Sequence, residues 1–308
     1  MPDVDMTVTA GNGLPLAGTL TLPTGDGPHP AVLLLHGSGR LDRDANAGRV
    51  RMELGPPLAA ALAERGIATL RYDRRGVGET PGDWLRTGFT DNRDDAAAAL
   101  RALAERPGIA SDAVGVIGHS EGAVHAMSLG AREKAAAVVL LAGFARPGEE
   151  ALRRQAAMTS RTLPLGPLRP VLRTLANRAL ARIRASERDV VRVAGAPVNA
   201  RWMREMLAHD PRADLAGIRV PVLAITGDKD VQVDPADLDV VRALVRGDVE
   251  VHRTPDLTHL LRRDPGPASI RSYRRLLRRP VDADVPAQVA DWLADRLTGP
   301  SREARAAG

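Results

Sequence analysis

The chain has 308 residues, no cysteine, 44% hydrophobic and 26% charged residues. That is enough for one large α/β domain with an insertion or two modest domains, and it excludes disulfides and thiol catalysis. A formal charge of +5, carried almost wholly by scattered arginines and with few aromatics to stack on bases, argues against a nucleic-acid partner.

No apolar stretch approaches the roughly 20 residues of a membrane span. The sequence runs from Met1 directly into strand-like residues with no charged-then-apolar leader, so a cytoplasmic location is expected. Residues 5–10 and 16–22 read as an antiparallel hairpin turned by Gly11-Asn12-Gly13. Short apolar runs at 31–36, 68–72, 114–118, 137–142, 221–227 and 249–253 read as buried strands. Helical patterns lie between them at 57–65, stopped by Gly66, and at 92–106, stopped by Pro107-Gly108. This alternation predicts a mostly parallel sheet with helices on both faces and an antiparallel hairpin at one edge.

Residues 144–219 break the rhythm. Helical segments at 149–158, 168–184 and 199–207 are punctuated by Pro164, Pro167, Pro170 and Pro197. They are expected to form a helical lid inserted between the two parts of the core, 1–143 and 220–297. Residues 298–308 are small, charged and aperiodic, and are expected to be a flexible tail.

The strand at 114–118 leads into Gly118-His119-Ser120-Glu121-Gly122 and then helix-forming residues 123–127. A G-x-S-x-G pentapeptide between strand and helix describes a nucleophile elbow. Serine is a weak nucleophile at neutral pH, so it needs a base, and the base needs an acid to fix its tautomer. Of seven histidines, His259 is the candidate base, because it lies in the loop after the last predicted strand, on the elbow's edge of the sheet. Asp228, Asp230 and Asp234 compete for the acid. Asp230 is preferred, since Gly227 sharpens the turn and Val231 and Val233 pack back on the core. The resulting order, Ser120…Asp230…His259, is that of an α/β-hydrolase.

The oxyanion hole is expected from the backbone amides of Ser38 and Glu121, with Gly37, Gly39 and Arg40 as candidate substrate contacts. No H-E-x-x-H, paired metal-ligand cluster or dinucleotide fingerprint occurs, so no metal or organic cofactor is expected. Tyr72-Asp73-Arg74-Arg75-Gly76-Val77-Gly78 could bind substrate, but reads more simply as a salt-linked turn between strand and helix. Arg271, Arg274, Arg275, Arg278 and Arg279 could attract an acidic substrate, but read more simply as a solvated helix face.

From Val4 to about Leu297 the chain resembles the α/β-hydrolase superfamily, and within it bacterial serine esterases of the prolyl-oligopeptidase-like and dienelactone-hydrolase-like branch. The resemblance is carried by Leu33-Leu34-Leu35-His36-Gly37-Ser38-Gly39 with Asp42-Arg43-Asp44, by Leu70-Arg71-Tyr72-Asp73-Arg74-Arg75-Gly76-Val77-Gly78, and by Gly118-His119-Ser120-Glu121-Gly122. Gly227-Asp228-Lys229-Asp230 and Leu257-Thr258-His259-Leu260 complete it. Arg40 departs from the pattern, where such sequences often carry proline. The resemblance implies hydrolysis of a small-molecule carboxylic ester through an acyl-enzyme. A peptidase or acyltransferase could use the same triad, and a non-catalytic ligand receptor could keep the same fold. A homo-oligomer is compatible with the sequence.

Overall fold

The computed structural model describes residues 1–298 except Arg49 and Leu165. Residues 299–308, nearly all of the expected tail, lie outside the described residues.

Eight strands form the main sheet: β1 (Asp3–Thr9), β2 (Pro15–Thr21), β3 (His29–Leu35), β4 (Ala68–Tyr72), β5 (Ile109–His119), β6 (Val138–Leu141), β7 (Val222–Gly227) and β8 (Val249–Thr254). Their order is β1-β2-β4-β3-β5-β6-β7-β8. β1 and β2 pair antiparallel, β2 runs antiparallel to β4, and every other pairing is parallel. The β1–β2 turn closes at Gly13, whose φ of +82° suits glycine.

The helices are α1 (Gly55–Ala63), α2 (Phe89–Ala104), α3 (Glu121–Arg132), α4 (Gly148–Arg161), α5 (Arg169–Ala185), α6 (Ala200–Ala208), α7 (Pro211–Gly217), α8 (Asp237–Leu244), α9 (Tyr273–Leu276) and α10 (Asp284–Leu297). Side chains of a strand alternate between its faces, and β3 divides accordingly. Leu33 and Leu35 join a core with residues of α2, α3 and α8, whereas Val32 and Leu34 join a second core with α1 and α10. A sheet buried on both faces requires near-continuous apolar strands, which is why β3 and β6 read as unbroken Val/Leu runs. The result is the expected α/β-hydrolase fold.

Between β6 and β7 lie α4, α5, a two-stranded ribbon (Val190–Val193 with Ala196–Asn199), α6 and α7. The sequence reading did not include the ribbon. Its two-residue turn, Ala194-Gly195, has positive φ at both positions, as a primed hairpin turn requires. α7 packs on α3: Asp214 accepts from Ser128 Oγ at 2.7 Å, and Leu215 lies in the main core. α6 is fastened to the start of α2. Asn199 caps it and donates to the carbonyls of Trp84 (2.8 Å) and Thr87 (2.7 Å), and Arg201 pairs with Asp91 at 2.9 Å. Among the described residues, no helix is long and apolar enough to cross a membrane.

Candidate active site

Ser120 stands between the end of β5 and the start of α3, with φ +57° and ψ −120°. This backbone conformation costs a non-glycine residue roughly 1–3 kcal/mol and persists only where the surroundings enforce it. The neighbours explain how it is enforced. A Cβ on Gly118 would collide with the Gly122 carbonyl, and a Cβ on Gly122 with the Leu35 carbonyl. The two glycines therefore let β5, α3 and the end of β3 close on one another, and the serine is held at the apex.

His259 follows β8 and is buried, 139 residues away in sequence. Its Nε2 lies 3.1 Å from Ser120 Oγ, and its Nδ1 lies 2.8 Å from Asp230 Oδ2. Asp230 is itself fully enclosed, and its Oδ1 accepts from the amides of Gln232 (2.7 Å) and Val233 (2.9 Å). One carboxylate oxygen is thus spent on the β7–α8 turn while the other is aimed at the imidazole. The competing acids are engaged elsewhere: Asp228 accepts from the Asp256 amide at 2.7 Å, and Asp234 pairs with Arg146 at 3.3 Å.

Opposite the serine, Gly37 is buried, and a Cβ there would come within 3.1 Å of Ser120 Cβ. Ser38 and Glu121 line the same cleft as Ser120 and His259. The Glu121 amide opens α3, where a helix has no intrahelical acceptor for its first N–H groups. Gly39 turns the chain at φ +110°, and Arg40 is exposed, outside the residues that line the cleft.

Beneath these amides lies a charged network built on the segment that reads in sequence as a salt-linked turn. Arg74 is buried, donating from Nη2 to the His36 carbonyl at 2.7 Å and from Nη1 to Glu121 Oε1 at 3.1 Å. One guanidinium therefore ties the loop bearing Ser38 to the helix bearing the Glu121 amide. Glu121 Oε1 also accepts from His125 Nε2 (3.1 Å) and from Trp202 Nε1 of α6 (3.3 Å). Burial alone would raise the Glu121 pKa, but Arg74, then His125 and Trp202, outweigh it and bring it down from 4.5 to about 2. The remainder of the turn is salt-linked as read: Asp73 to Arg43 at 2.7 Å and Arg75 to Asp95 at 2.6 Å.

His119 is a second residue that sequence reasoning passed over. Buried beside the serine, it places Nε2 2.9 Å from the His259 carbonyl, and the two rings lie 5.0 Å apart. Burial, reinforced by the nearby His259, drives the His119 pKa from 6.5 to about 3; burial and then Arg74 do the same to His36. Both imidazoles are therefore neutral in the folded chain across the neutral range, so His119 can donate its Nε2–H to the carbonyl.

A testable consequence concerns acid stability. Each histidine binds its proton near 6.5 when unfolded and near 3 when folded, so its contribution is complete above 6.5 and is lost as pH falls toward 3. Unfolding free energy from urea titrations should fall by about 1.4 kcal/mol per pH unit for each histidine in that window. A His36→Gln/His119→Gln variant should show a flatter profile. An unchanged slope would contradict the assignment.

The cleft above Ser120 encloses about 190 Å³. α4 contributes Ala151, Leu152 and Gln155 to its wall, and α6 contributes Trp202, Met203 and Met206. Arg146, Arg154, Asp234 and Asp237 form a charged side. Arg146 Nε lies 2.6 Å from Asp237, and Arg154 pairs with Asp234. Among the described residues, no group of three or more His, Cys, Asp or Glu gathers in a metal-binding arrangement.

Residues 28–266 match the family described as serine aminopeptidase, S33. The chain belongs to that family. Among curated relatives, esterase EstD of Thermotoga maritima is 32% identical over 292 residues, covering 94% of this chain and 66% of EstD. The 2,6-dihydropseudooxynicotine hydrolase of Paenarthrobacter nicotinovorans is 31% identical over 134 residues, 43% of this chain and 33% of that protein. The chain thus spans two thirds or less of the length of these relatives. Among solved structures of the same fold, Est1E from Butyrivibrio proteoclasticus with ferulic acid bound superposes with a TM-score of 0.64 at 17% identity, covering 94% of this chain and 98% of Est1E. This S33 member carries its Ser-x-Gly elbow and its histidine loop on the same sheet edge, because β5 to β8 run parallel and their C-terminal ends share it.

Proposed function

We propose that this S33 family member is a carboxylic-ester hydrolase that works through an acyl-enzyme, with Ser120 as nucleophile, His259 as general base and Asp230 as its orienting acid. The reading is carried by one observation: the unbroken hydrogen-bonded chain Asp230–His259–Ser120 ending on a strained turn. In this scheme Ser120 Oγ attacks the ester carbonyl carbon and its proton passes to His259 Nε2. Asp230 stabilises the imidazolium through Nδ1–H, and the amides of Ser38 and Glu121 receive the oxyanion. His259 then protonates the departing alkoxide. A water, deprotonated by the same Nε2, releases the acid.

A charge argument favours esters over aminopeptidase substrates. An aminopeptidase needs a carboxylate to receive the substrate's α-ammonium group. The carboxylates lining the cleft are Glu121, Asp234 and Asp237, and each is engaged by an arginine: Arg74, Arg154 and Arg146 respectively. EstD, the relative matched over most of this chain, is named an esterase. The segment 144–219 acts as the lid in this proposal, α4 and α6 closing the cleft. The narrower likeness to the prolyl-oligopeptidase-like and dienelactone-hydrolase-like branch rests on the His36–Gly39 and Gly118–Gly122 motifs.

Pockets for drug-sized ligands commonly enclose about 300–1,000 Å³, so a cleft of about 190 Å³ suits short acyl groups. Across p-nitrophenyl esters from acetate to palmitate, kcat/KM should peak at the short end and fall steeply beyond butyrate. Turnover of aminoacyl p-nitroanilides with none of the esters would establish the peptidase reading instead. Binding without turnover of either class, together with no labelling by a fluorophosphonate, would establish a receptor.

A further inference from the structure

α5 differs from the helices that pack on the sheet. Every described residue from Leu168 to Arg178 is exposed, and Ile183 alone of the helix is buried. Leu168 (62% exposed), Val171 (56%), Leu172 (44%) and Leu175 (52%) are spaced i, i+3, i+4 and i+7, so they form one stripe along the first turns. They are four of the six large hydrophobic side chains exposed among the described residues, the others being Met1 and Val50. Among the described residues, exposure of large apolar side chains is therefore concentrated on this one helix. Scattered singletons would need no account; an ordered stripe of this kind does.

The chemistry around the stripe is uniform in sign. At 100° per residue, Arg169 borders it on one side and Arg178 on the other, Arg182 continues its line, and Arg173 lies on the far face. From Ala151 to Ser186 the sequence has eight arginines and no aspartate or glutamate, in a chain whose overall charge is only +5. Three of the eight are paired with acids from outside the segment, Arg153 and Arg184 with Glu149 and Arg154 with Asp234. An apolar stripe bordered on both sides by long cationic side chains is the layout of a helix lying in a lipid interface. The apolar groups enter the acyl boundary there, and the guanidiniums reach up to the phosphates.

We propose that the α5 face docks on an anionic lipid surface, the Leu168–Leu175 stripe entering the interface and the flanking arginines binding headgroup phosphates. A second copy of the chain fits the patch poorly. A two-fold contact would set the same face against itself and bring the arginines of both copies together with no acid on either helix to offset them. α5 also follows α4, whose residues line the cleft, so docking would bring the cleft close to the lipid. The inference concerns a surface and holds whatever the cleft hydrolyses.

The test is co-sedimentation of the full chain with phosphatidylcholine vesicles, with and without phosphatidylserine. Binding should require phosphatidylserine and weaken as salt is raised. Leu172→Ser/Leu175→Ser should abolish it. An Arg169→Gln/Arg178→Gln/Arg182→Gln variant should lower the vesicle partition coefficient more than about tenfold, since each basic residue near an anionic surface contributes roughly a factor of five. These residues are exposed and stand outside the candidate catalytic machinery, so thermal melting and turnover of a soluble ester should stay at wild-type levels. Three results would overturn the proposal: no sedimentation with phosphatidylserine vesicles, sedimentation insensitive to both sets of substitutions, or loss of a dimer in sedimentation velocity as the one effect of the leucine changes.

Discussion

Replacing Ser120 with alanine is expected to lower ester turnover by about 10⁴- to 10⁶-fold, leaving the residual rate that oxyanion stabilisation and binding supply by themselves. Alanine keeps the Cβ that the elbow already accommodates at φ +57°, and the change deletes a single atom from a half-buried site. The loss should therefore appear in kcat with no shift in melting temperature. Asp230→Asn should cost about 10⁴-fold, because an amide at that position would favour the wrong imidazole tautomer. The two effects should not add, since the residues act as one unit. An alanine variant turning over esters at even a tenth of the wild-type rate would remove Ser120 from the mechanism and leave the cleft without an assigned nucleophile.

What could be read in the sequence follows from the range of the interactions involved. The elbow is local. Gly118 and Gly122 flank Ser120 within five residues, and their reason for being glycine is a collision with backbone that any strand-turn-helix of this kind creates. The parallel character of the sheet likewise follows from apolar runs alternating with helices, and in a parallel sheet the loop after β8 opens on the edge where β5 ends. Asp230 could be preferred over Asp228 and Asp234 because Val231 and Val233 are buried and fix the phase of the turn. The partners of His119 and Arg74 are different in kind. His119 meets a carbonyl 140 residues along the chain, and Arg74 meets Glu121 across 47 residues. No spacing rule connects such pairs, and a buried arginine looks in sequence like any other member of Asp73-Arg74-Arg75. Ala194-Gly195 between two Val-containing segments is a two-residue hairpin turn, but nearby Pro197 reads as a breaker until its strand proves to be one of the two in the ribbon, with Pro197 on the exposed part.

The second large effect is expected at Arg74. Its side chain and that of Glu121 are both more than nine-tenths buried, and Arg74→Ala would strand the Glu121 carboxylate with His125 and Trp202 as its remaining donors. Breaking a buried pair from one side typically costs about 3–5 kcal/mol, because a charge is left uncompensated in a medium that solvates it poorly. Substituting both partners should cost much less, so Arg74→Met/Glu121→Gln is expected to recover most of the stability in urea unfolding. The pH dependence discriminates this from simple loss of packing. In the wild type Glu121 is held at about 2 against an ordinary 4.5, so its contribution is complete above 4.5 and disappears as pH falls toward 2. Without Arg74, burial acts with less opposition and the carboxyl pKa rises, so the variant sheds its penalty by taking up a proton. The stability gap between wild type and Arg74→Ala should therefore be widest near neutral pH and narrow in acid, whereas a packing defect would keep the same size throughout. Catalysis gives an independent readout. Arg74 also anchors the His36 carbonyl, and so the loop that carries the Ser38 amide. Since losing one oxyanion donor costs about 10²–10³-fold in kcat, even a partial displacement of that loop should lower kcat well beyond any change in KM. The double variant, stable but still lacking the tether, should remain slow. If instead it recovers rate along with stability, the guanidinium serves folding alone and the oxyanion loop is positioned by Gly37 packing on Ser120.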